Sequence, residues 1–105
     1  MKQAAECNSM TELREVIDAL DARIIALLAE RAGCIDRAAE LKPAEGLPAR
    51  IDARVEQVVD NARRVARQHG LDPALVETLW RTMIEWSIVR EEQTLGQGIP
   101  QKDKT

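Results

Sequence analysis

Two basic residues interrupt the apolar stripe of the first predicted helix. The stripe is formed by positions three or four residues apart: Leu13, Ile17, Leu20, Ile24, Leu28, Arg31, Ile35, Ala38 and Lys42. Arg31 and Lys42 therefore stand where core residues are expected. A charge on such a stripe carries a large desolvation cost unless an anionic group, from a side chain or a ligand, meets it.

The spacing of these cations predicts a binding cavity. Lys42 follows Arg31 by eleven residues, about three helical turns, so both project from one face, and the small Ala38 between them leaves space. Arg14 precedes Arg31 by seventeen residues, roughly 25 Å along the axis, which is too far for both to bind one small molecule. A second, antiparallel copy of the helix would bring Arg14 near.

Polar residues also interrupt the apolar side of the third predicted helix. One face of it carries Ile84, Ser87, Ile88, Glu91 and Leu95. A hydroxyl and a carboxylic acid therefore lie among apolar side chains, while Arg54 borders the apolar face of the second helix. A pocket with several cations and one acid suits a compact dianion, because guanidinium groups pair bidentately with carboxylates.

Each of these residues also has a structural interpretation. Arg31 and Lys42 can extend their charged ends to solvent, and Arg54 can be a surface residue. Glu91 can form a structural ion pair with Arg90 or Arg31. Their occurrence on three converging faces favours a site over three unrelated explanations.

The elements that position these residues are all helical. Ser9 and Glu12 form a capping box, and the helical pattern continues to Pro43, which predicts a first helix from Thr11 to Lys42. At about 1.5 Å per residue this helix is nearly 50 Å long, more than a domain of this size spans. We therefore expect an all-α fold of three helices whose very long first helix takes part in an intertwined homodimer.

The remaining boundaries follow from glycine and proline. A loop is predicted from Pro43 to Ala49, and the second helix runs from about Ile51 until Gly70 stops it. Asp72 and Pro73 supply the N-cap and first residue of a third helix that ends near Gly96. The expected organisation is an N-terminal extension (1–10), a helical domain (11–95) and a disordered tail (96–105).

Composition excludes several classes of function. The net charge is -3 and aromatic residues make up 2% of the 105 residues, so nucleic-acid binding is not expected. No segment is apolar enough to span or target a membrane, and we expect a cytoplasmic protein. Cys7, Cys34 and His69 are too few for a disulfide framework or a metal site, and no cofactor motif is present.

Several segments resemble the all-helical chorismate mutase family, which includes isochorismate pyruvate lyases. They are LREVIDALD from Leu13, LLAER ending at Arg31, the single residues Lys42 and Arg54, IEWSI from Ile84, and Glu91. The resemblance covers nearly all of the chain expected to be ordered. It implies an intertwined dimer with shared active sites and a small dicarboxylate as substrate.

The resemblance also implies roles for individual residues. Arg14 would reach the partner subunit's site and bind one carboxylate, Arg31 would bind the other, and Lys42 would contact a carboxylate and the ether oxygen. Ser87 and the backbone near Ile51 would complete the polar contacts, with Arg54 adding positive potential. An apolar wall would consist of Ala38, Val58, Ile84 and Ile88.

The implied reaction is the rearrangement of chorismate to prephenate, which needs no nucleophile, metal or cofactor. The protein can accelerate it by holding the reactive conformer and stabilising the charge that develops on the ether oxygen. Fixed cations provide that stabilisation. The predicted catalytic residues are thus Arg14, Arg31, Lys42 and Glu91.

Two residues depart from the family pattern. Glu91 stands where many members have a glutamine near the ether oxygen, so it must carry a proton to help. Val55 replaces a glutamate that meets the substrate's ring hydroxyl, which leaves isochorismate pyruvate lyase as an alternative. Glu6-Cys7 and Trp86 also favour the lyase, whereas Ser87 and Glu91 favour the mutase, which we prefer. An alternative of another class is a non-enzymatic dimerisation or adaptor module whose cations form structural ion pairs.

Overall fold

Three α-helices make up most of the protein. In the computed structural model, which describes the backbone of residues 2–104 and the side chains of residues 2–95, α1 is Met10–Glu45, α2 is Asp52–Gln68 and α3 is Pro73–Lys104. One turn of 3-10 helix, Ala4–Glu6, precedes them, and the described backbone contains no strand. The predicted all-α class with a long first helix is confirmed. The end of α3 differs from its prediction, because the described helix continues to Lys104 and does not end near Gly96. The side chains of the predicted tail (96–105) lie outside the described residues, and its disorder stays a prediction.

The end of α1 corrects the sequence analysis. The helix continues through Pro43 to Glu45, three residues beyond the predicted end at Lys42. Gly46, with φ of 70°, is the residue that stops it. Its N–H donates to the Pro43 carbonyl at 3.1 Å, and the Leu47 N–H donates to the Lys42 carbonyl at 3.0 Å. This is the Schellman arrangement, so a proline in the last turn did not end the helix, but a glycine free to adopt positive φ did.

Other helix ends agree with their predicted caps. The Ser9 hydroxyl accepts a hydrogen bond from the Glu12 N–H at 3.1 Å at the start of α1, and the Asp72 carboxylate accepts one from the Ala74 N–H at 2.9 Å at the start of α3. Gly70 ends α2 with φ of 69°. These local signals fix where each helix begins and ends.

The chain divides into two units, residues 1–34 and 35–105. In the first unit, every described residue is exposed or half-buried. The large apolar side chains of its part of α1 that lie more than two-fifths exposed are Met10, Ile17, Leu20, Ile24, Ile25, Leu27 and Leu28. The predicted apolar stripe therefore finds no partner within this unit.

The second unit contains a core between α2 and α3. The buried residues Ala49, Val59, Ile84 and Ile88 form one cluster, with Val55, Val58, Trp80 and Leu95 packed against it. Ion pairs join the two helices: Arg63 to Glu77 at 2.6 Å and Arg81 to Glu56 at 3.0 Å. Since the earlier residue of α2 pairs with the later residue of α3, the two helices run antiparallel. Among the described residues, no helix has the length and apolar character needed to cross a bilayer.

Candidate functional site

Lys42 is the best-defined charged residue of the candidate site. Its Nζ donates a hydrogen bond to the Ala49 carbonyl at 2.8 Å and lies 2.6 Å from Glu91 Oε1. The side chains are 16% and 6% exposed, respectively. The second unit thus holds a nearly buried ion pair, in which each charge offsets part of the other's desolvation cost.

Glu91 is only partly satisfied by this contact. Oε1 is buried and close to Nζ, yet it lacks a hydrogen-bond partner with directed geometry. The contact is therefore a close approach of opposite charges in which the acceptor capacity of Oε1 is not fully used. A buried polar atom of this kind is exceptional, which makes Glu91 a candidate functional residue.

Three different segments bring this group together. Lys42 lies in the last turn of α1, where the helix dipole favours a cation. Ala49 lies in the loop after the Gly46 turn, with 9% exposure, and Glu91 lies on α3. The sequence analysis identified Lys42 and Glu91 but missed the Ala49 carbonyl. A backbone acceptor in a loop has no residue-type signal that could have indicated it.

The residues predicted to form the apolar wall are buried or half-buried in the second unit. Ile84, Ser87 and Ile88 are buried on one side of α3, and Val58 of α2 is half-buried. The Ser87 hydroxyl donates to the Met83 carbonyl at 2.9 Å. An apolar face with one hydroxyl therefore accompanies Lys42 and Glu91, as the face pattern predicted.

The start of α2 contributes a backbone site and an exposed cation. Ile51 is the N-cap, with extended backbone, and its carbonyl accepts hydrogen bonds from the N–H groups of Arg54 and Val55, both at 3.0 Å. Arg54 is exposed and donates to Gln57 at 2.8 Å, whereas Val55 is half-buried against the core cluster. Arg54 thus lies at the surface, and an apolar side chain occupies the Val55 position.

The other candidate cations belong to the first unit. Arg14 is exposed and Arg31 is half-buried, both on α1. Ala38, also on α1 but in the second unit, is half-buried. Lys42 and Glu91 are thus in contact within the second unit, whereas Arg14 and Arg31 belong to the first unit.

Arg90 pairs with residues other than Glu91, the partner considered for it in the sequence analysis. It pairs with Asp36 through two hydrogen bonds, of which Nη2 to Oδ2 is 3.0 Å, and its guanidinium lies 5.4 Å from the ring centre of Trp86. Because its guanidinium is engaged there, Lys42 and not Arg90 is the cation at Glu91. Local sequence spacing could not indicate the contact from α1 to α3.

Other features of the described residues do not suggest a competing site. No group of three or more His, Cys, Asp or Glu in that part of the chain could hold a metal ion. A shallow groove of about 240 Å³ in the first unit is lined by Lys2, Glu12, Glu15, Val16 and Ala19. It contains no candidate residue, and its two carboxylates disfavour a dianion.

Comparison with known proteins identifies the family. The profile described as chorismate mutase type II matches residues 13–92. A 4-amino-4-deoxychorismate mutase from Streptomyces pristinaespiralis is 33% identical over 90% of this chain and 74% of its own. An isochorismate pyruvate lyase from Pseudomonas aeruginosa is 32% identical over 87% and 89%, respectively. A chorismate mutase from Methanocaldococcus jannaschii is 28% identical over 82% and 87%. The matched region contains every candidate site residue, and the chain belongs to the type II chorismate mutase family.

Proposed function

We propose that the protein catalyses the rearrangement of chorismate to prephenate. The observation that carries the proposal is the nearly buried Lys42, which the Ala49 carbonyl and Glu91 hold on the second unit. Family membership adds the reaction type. In this reaction the ether C–O bond breaks as a new C–C bond forms, with no proton transfer and no covalent intermediate on the enzyme.

Lys42 acts by electrostatic stabilisation. The ammonium group is already oriented by Ala49, so it needs little reorganisation when negative charge develops on the ether oxygen. Arg31 and Arg14 bind the two carboxylates, and Ser87 and the backbone at Ile51 fix the remaining polar groups. The wall of Ala38, Val58, Ile84 and Ile88 excludes water and favours the compact conformer.

Glu91 must change its partner when substrate binds. An ionised carboxylate next to the ether oxygen would repel the developing charge, whereas a protonated one donates a hydrogen bond to it. Its contact with Lys42 supports an arrangement in which Glu91 neutralises the lysine until the substrate arrives.

We further propose an intertwined homodimer with shared sites. The exposed apolar side chains of the first unit support a partner, because burying the exposed part of each would add about 1–2 kcal/mol. Arg14 then reaches the site of the partner subunit. The dimer and a cytoplasmic location are both predictions.

The substrate assay tests the proposed function directly. Purified protein is incubated separately with chorismate, isochorismate and 4-amino-4-deoxychorismate, and the products are followed by chromatography. 4-Amino-4-deoxychorismate is included because one relative is named a 4-amino-4-deoxychorismate mutase. In addition, Val55 provides no acid that would select a ring hydroxyl. Prephenate formation that Lys42→Met abolishes supports the proposal, whereas salicylate and pyruvate from isochorismate alone would favour the lyase.

Complementation tests the shared sites. Arg14→Ala and Arg31→Ala proteins are each expected to be inactive, since each lacks one carboxylate partner in every site. Mixed dimers should regain a fraction of the sites. No recovery after subunit exchange would contradict sharing, and failure of the wild type to bind or turn over any of the three compounds would favour the adaptor module.

A further inference from the structure

Arg50 and Glu85 form a bidentate ion pair between α3 and the loop that connects α1 to α2 (residues 46–51). Nη2 lies 2.6 Å from Oε1, and Nη1 lies 2.9 Å from Oε2. The hydrogen bonds to Glu85 raise the pKa of Arg50, and the same contacts lower the pKa of Glu85. Both groups therefore stay charged throughout the neutral pH range, and the planar fork fixes their relative orientation.

The position of Arg50 gives this pair its significance. Arg50 lies between Ala49, whose carbonyl accepts the Lys42 hydrogen bond, and Ile51, which caps α2. On α3, Glu85 follows the buried Ile84 and precedes Ser87 by two residues. The ion pair thus connects the segment that holds Lys42 to the helix that carries the apolar wall.

Stability alone does not account for such a pair. The two side chains are 44% and 55% exposed, and exposed ion pairs contribute little to the free energy of unfolding. The pair is nevertheless well placed to restrict a short loop, because it anchors residue 50 to a rigid helix. A displacement of the Ala49 carbonyl would move Lys42 Nζ with it.

We propose that the Arg50–Glu85 ion pair is a positioning clamp that sets the Ala49 carbonyl and the Ile51 backbone, and through them Lys42, for the reaction. Neither residue touches the substrate in this proposal, which rests on the proposed function. The ligand served by the clamp is the dianionic substrate that Lys42 binds.

The structure offers a matched control pair. Arg81 on α3 and Glu56 on α2 also form a bidentate contact, with hydrogen bonds of 3.0 and 3.2 Å. Their side chains are 43% and 60% exposed, respectively. Glu56 lies within α2 rather than in the loop that holds Lys42. Glu56→Gln therefore removes the same charge from an exposed ion pair without releasing that loop, and Arg81 keeps its contact with Glu77 at 2.7 Å.

Two variants that each remove one charge, Arg50→Gln and Glu85→Gln, distinguish a positioning role of the ion pair from a direct electrostatic effect on the substrate. A field effect on a dianionic substrate would have opposite signs, because Arg50→Gln removes a positive charge and Glu85→Gln removes a negative one. A clamp predicts the same sign for both. We expect each to lower kcat/KM by about tenfold, since an ångström-scale displacement of a catalytic group costs up to a hundredfold. Glu56→Gln should stay within about twofold of the wild type.

The charge-reversed double variant Arg50→Glu/Glu85→Arg provides the rescue. It restores an ion pair between the same two positions and should regain most of the lost kcat/KM. Opposite effects of the two single variants, losses no larger than that of Glu56→Gln, or no recovery in the double variant would each overturn the proposal. Melting temperatures of all variants show whether a loss of activity is a loss of folding.

Hydrogen exchange tests the clamp without any substrate. In the ligand-free protein, amides of residues 46–52 should exchange faster in Arg50→Gln and Glu85→Gln than in the wild type or Glu56→Gln. Unchanged exchange in this segment would overturn the clamp even if the protein is a mutase. Faster exchange in a protein that turns over no substrate would instead support the clamp and reject the proposed function.

Discussion

Residues 10–34 and residues 52–95 are both helical and rich in aliphatic side chains, yet they differ in what they bury. In the first region, Ile24 is 53% exposed and Leu27 is 61% exposed. In the second, Ile84 and Ile88 are 6% and 5% exposed. The same residue types therefore form an exposed surface in the first region and a packed core in the second. Only the neighbouring elements of tertiary structure distinguish the two regions.

The polar residues of the candidate site show a parallel difference. Lys42 and Glu91 contact each other inside the second unit, whereas Arg14 is exposed on the first. The second unit thus carries an assembled polar group beside buried apolar side chains, and the first carries Arg14 and Arg31, the arginines predicted to bind substrate. The following predictions test whether this contrast is real.

Loss of Lys42 should have the largest effect, because it removes the cation and leaves Glu91 buried without a countercharge. We expect Lys42→Met to lower the free energy of unfolding by about 3–5 kcal/mol and to reduce mutase activity by at least about a hundredfold. Urea denaturation and chorismate turnover measure the two effects.

The matched control replaces both charges with apolar groups. Lys42→Met/Glu91→Leu should recover most of the lost stability, since no unpaired charge stays buried, but none of the activity. A double variant as unstable as the single one would show that the ion pair is not the source of the destabilisation.

A charge on the apolar stripe of the first unit should have the next largest effect. Ile24→Glu is expected to dissociate the proposed dimer and lower the melting temperature by about 10 °C, because about 2 kcal/mol of burial is lost and 1 kcal/mol corresponds to about 4–8 °C. Sedimentation equilibrium and thermal denaturation measure this. Ala22→Glu adds the same charge nearly opposite on the helix and should leave the mass unchanged; equal behaviour of the two variants would remove the contrast between the faces.

Glu91→Gln should have a moderate effect that depends on pH. In the proposed mechanism Glu91 must carry a proton, so kcat/KM of the wild type should rise as pH falls below neutrality, whereas an amide donates its hydrogen bond at every pH. The glutamine variant should therefore have a flatter profile and be faster near pH 8. The same pH dependence in both proteins would show that Glu91 does not meet the reacting oxygen.

Acid should weaken the second unit slightly. Arg81 lowers the pKa of Glu77 and Glu56, and Arg90 lowers the pKa of Asp36. A carboxylate with a lower pKa in the folded state stabilises the protein above its unfolded pKa, and this contribution is lost as pH falls through the folded value. The melting temperature should therefore decline below about pH 4.5, and less steeply in Glu77→Gln. An identical slope would show that these exposed pairs add nothing.

Local sequence signals predicted the helix boundaries well where they involve a side chain or a glycine. Ser9, Asp72 and Gly70 act within a few residues of their own position, so their caps were correctly assigned. Pro43 was misjudged because a proline in the last turn loses only one backbone hydrogen bond, while Gly46 provides the actual stop.

Contacts between distant segments could be predicted only in part. The sequence placed Lys42 and Glu91 on apolar faces, which indicated that both would be buried. It did not show that they meet, because their pairing depends on how α1 and α3 approach each other. The hydrogen bond from Lys42 to the Ala49 carbonyl and the Asp36–Arg90 ion pair could not be predicted for the same reason. The stripe of the first unit was correctly identified as apolar, but its covering by a second copy is a prediction.

The four-residue connection between α2 and α3, residues 69–72, has a consequence for the order of folding. Helices adjacent in sequence need little loop closure, so an antiparallel pair joined in this way forms quickly. During synthesis α1 emerges first, but the described residues 2–34 offer it nothing to pack against. We expect α2 and α3 to form the earliest tertiary structure, although they are made after α1. The part of the apolar wall on α2 and α3, Val58, Ile84 and Ile88, would thus exist before Ala38 and the arginines of α1 are fixed.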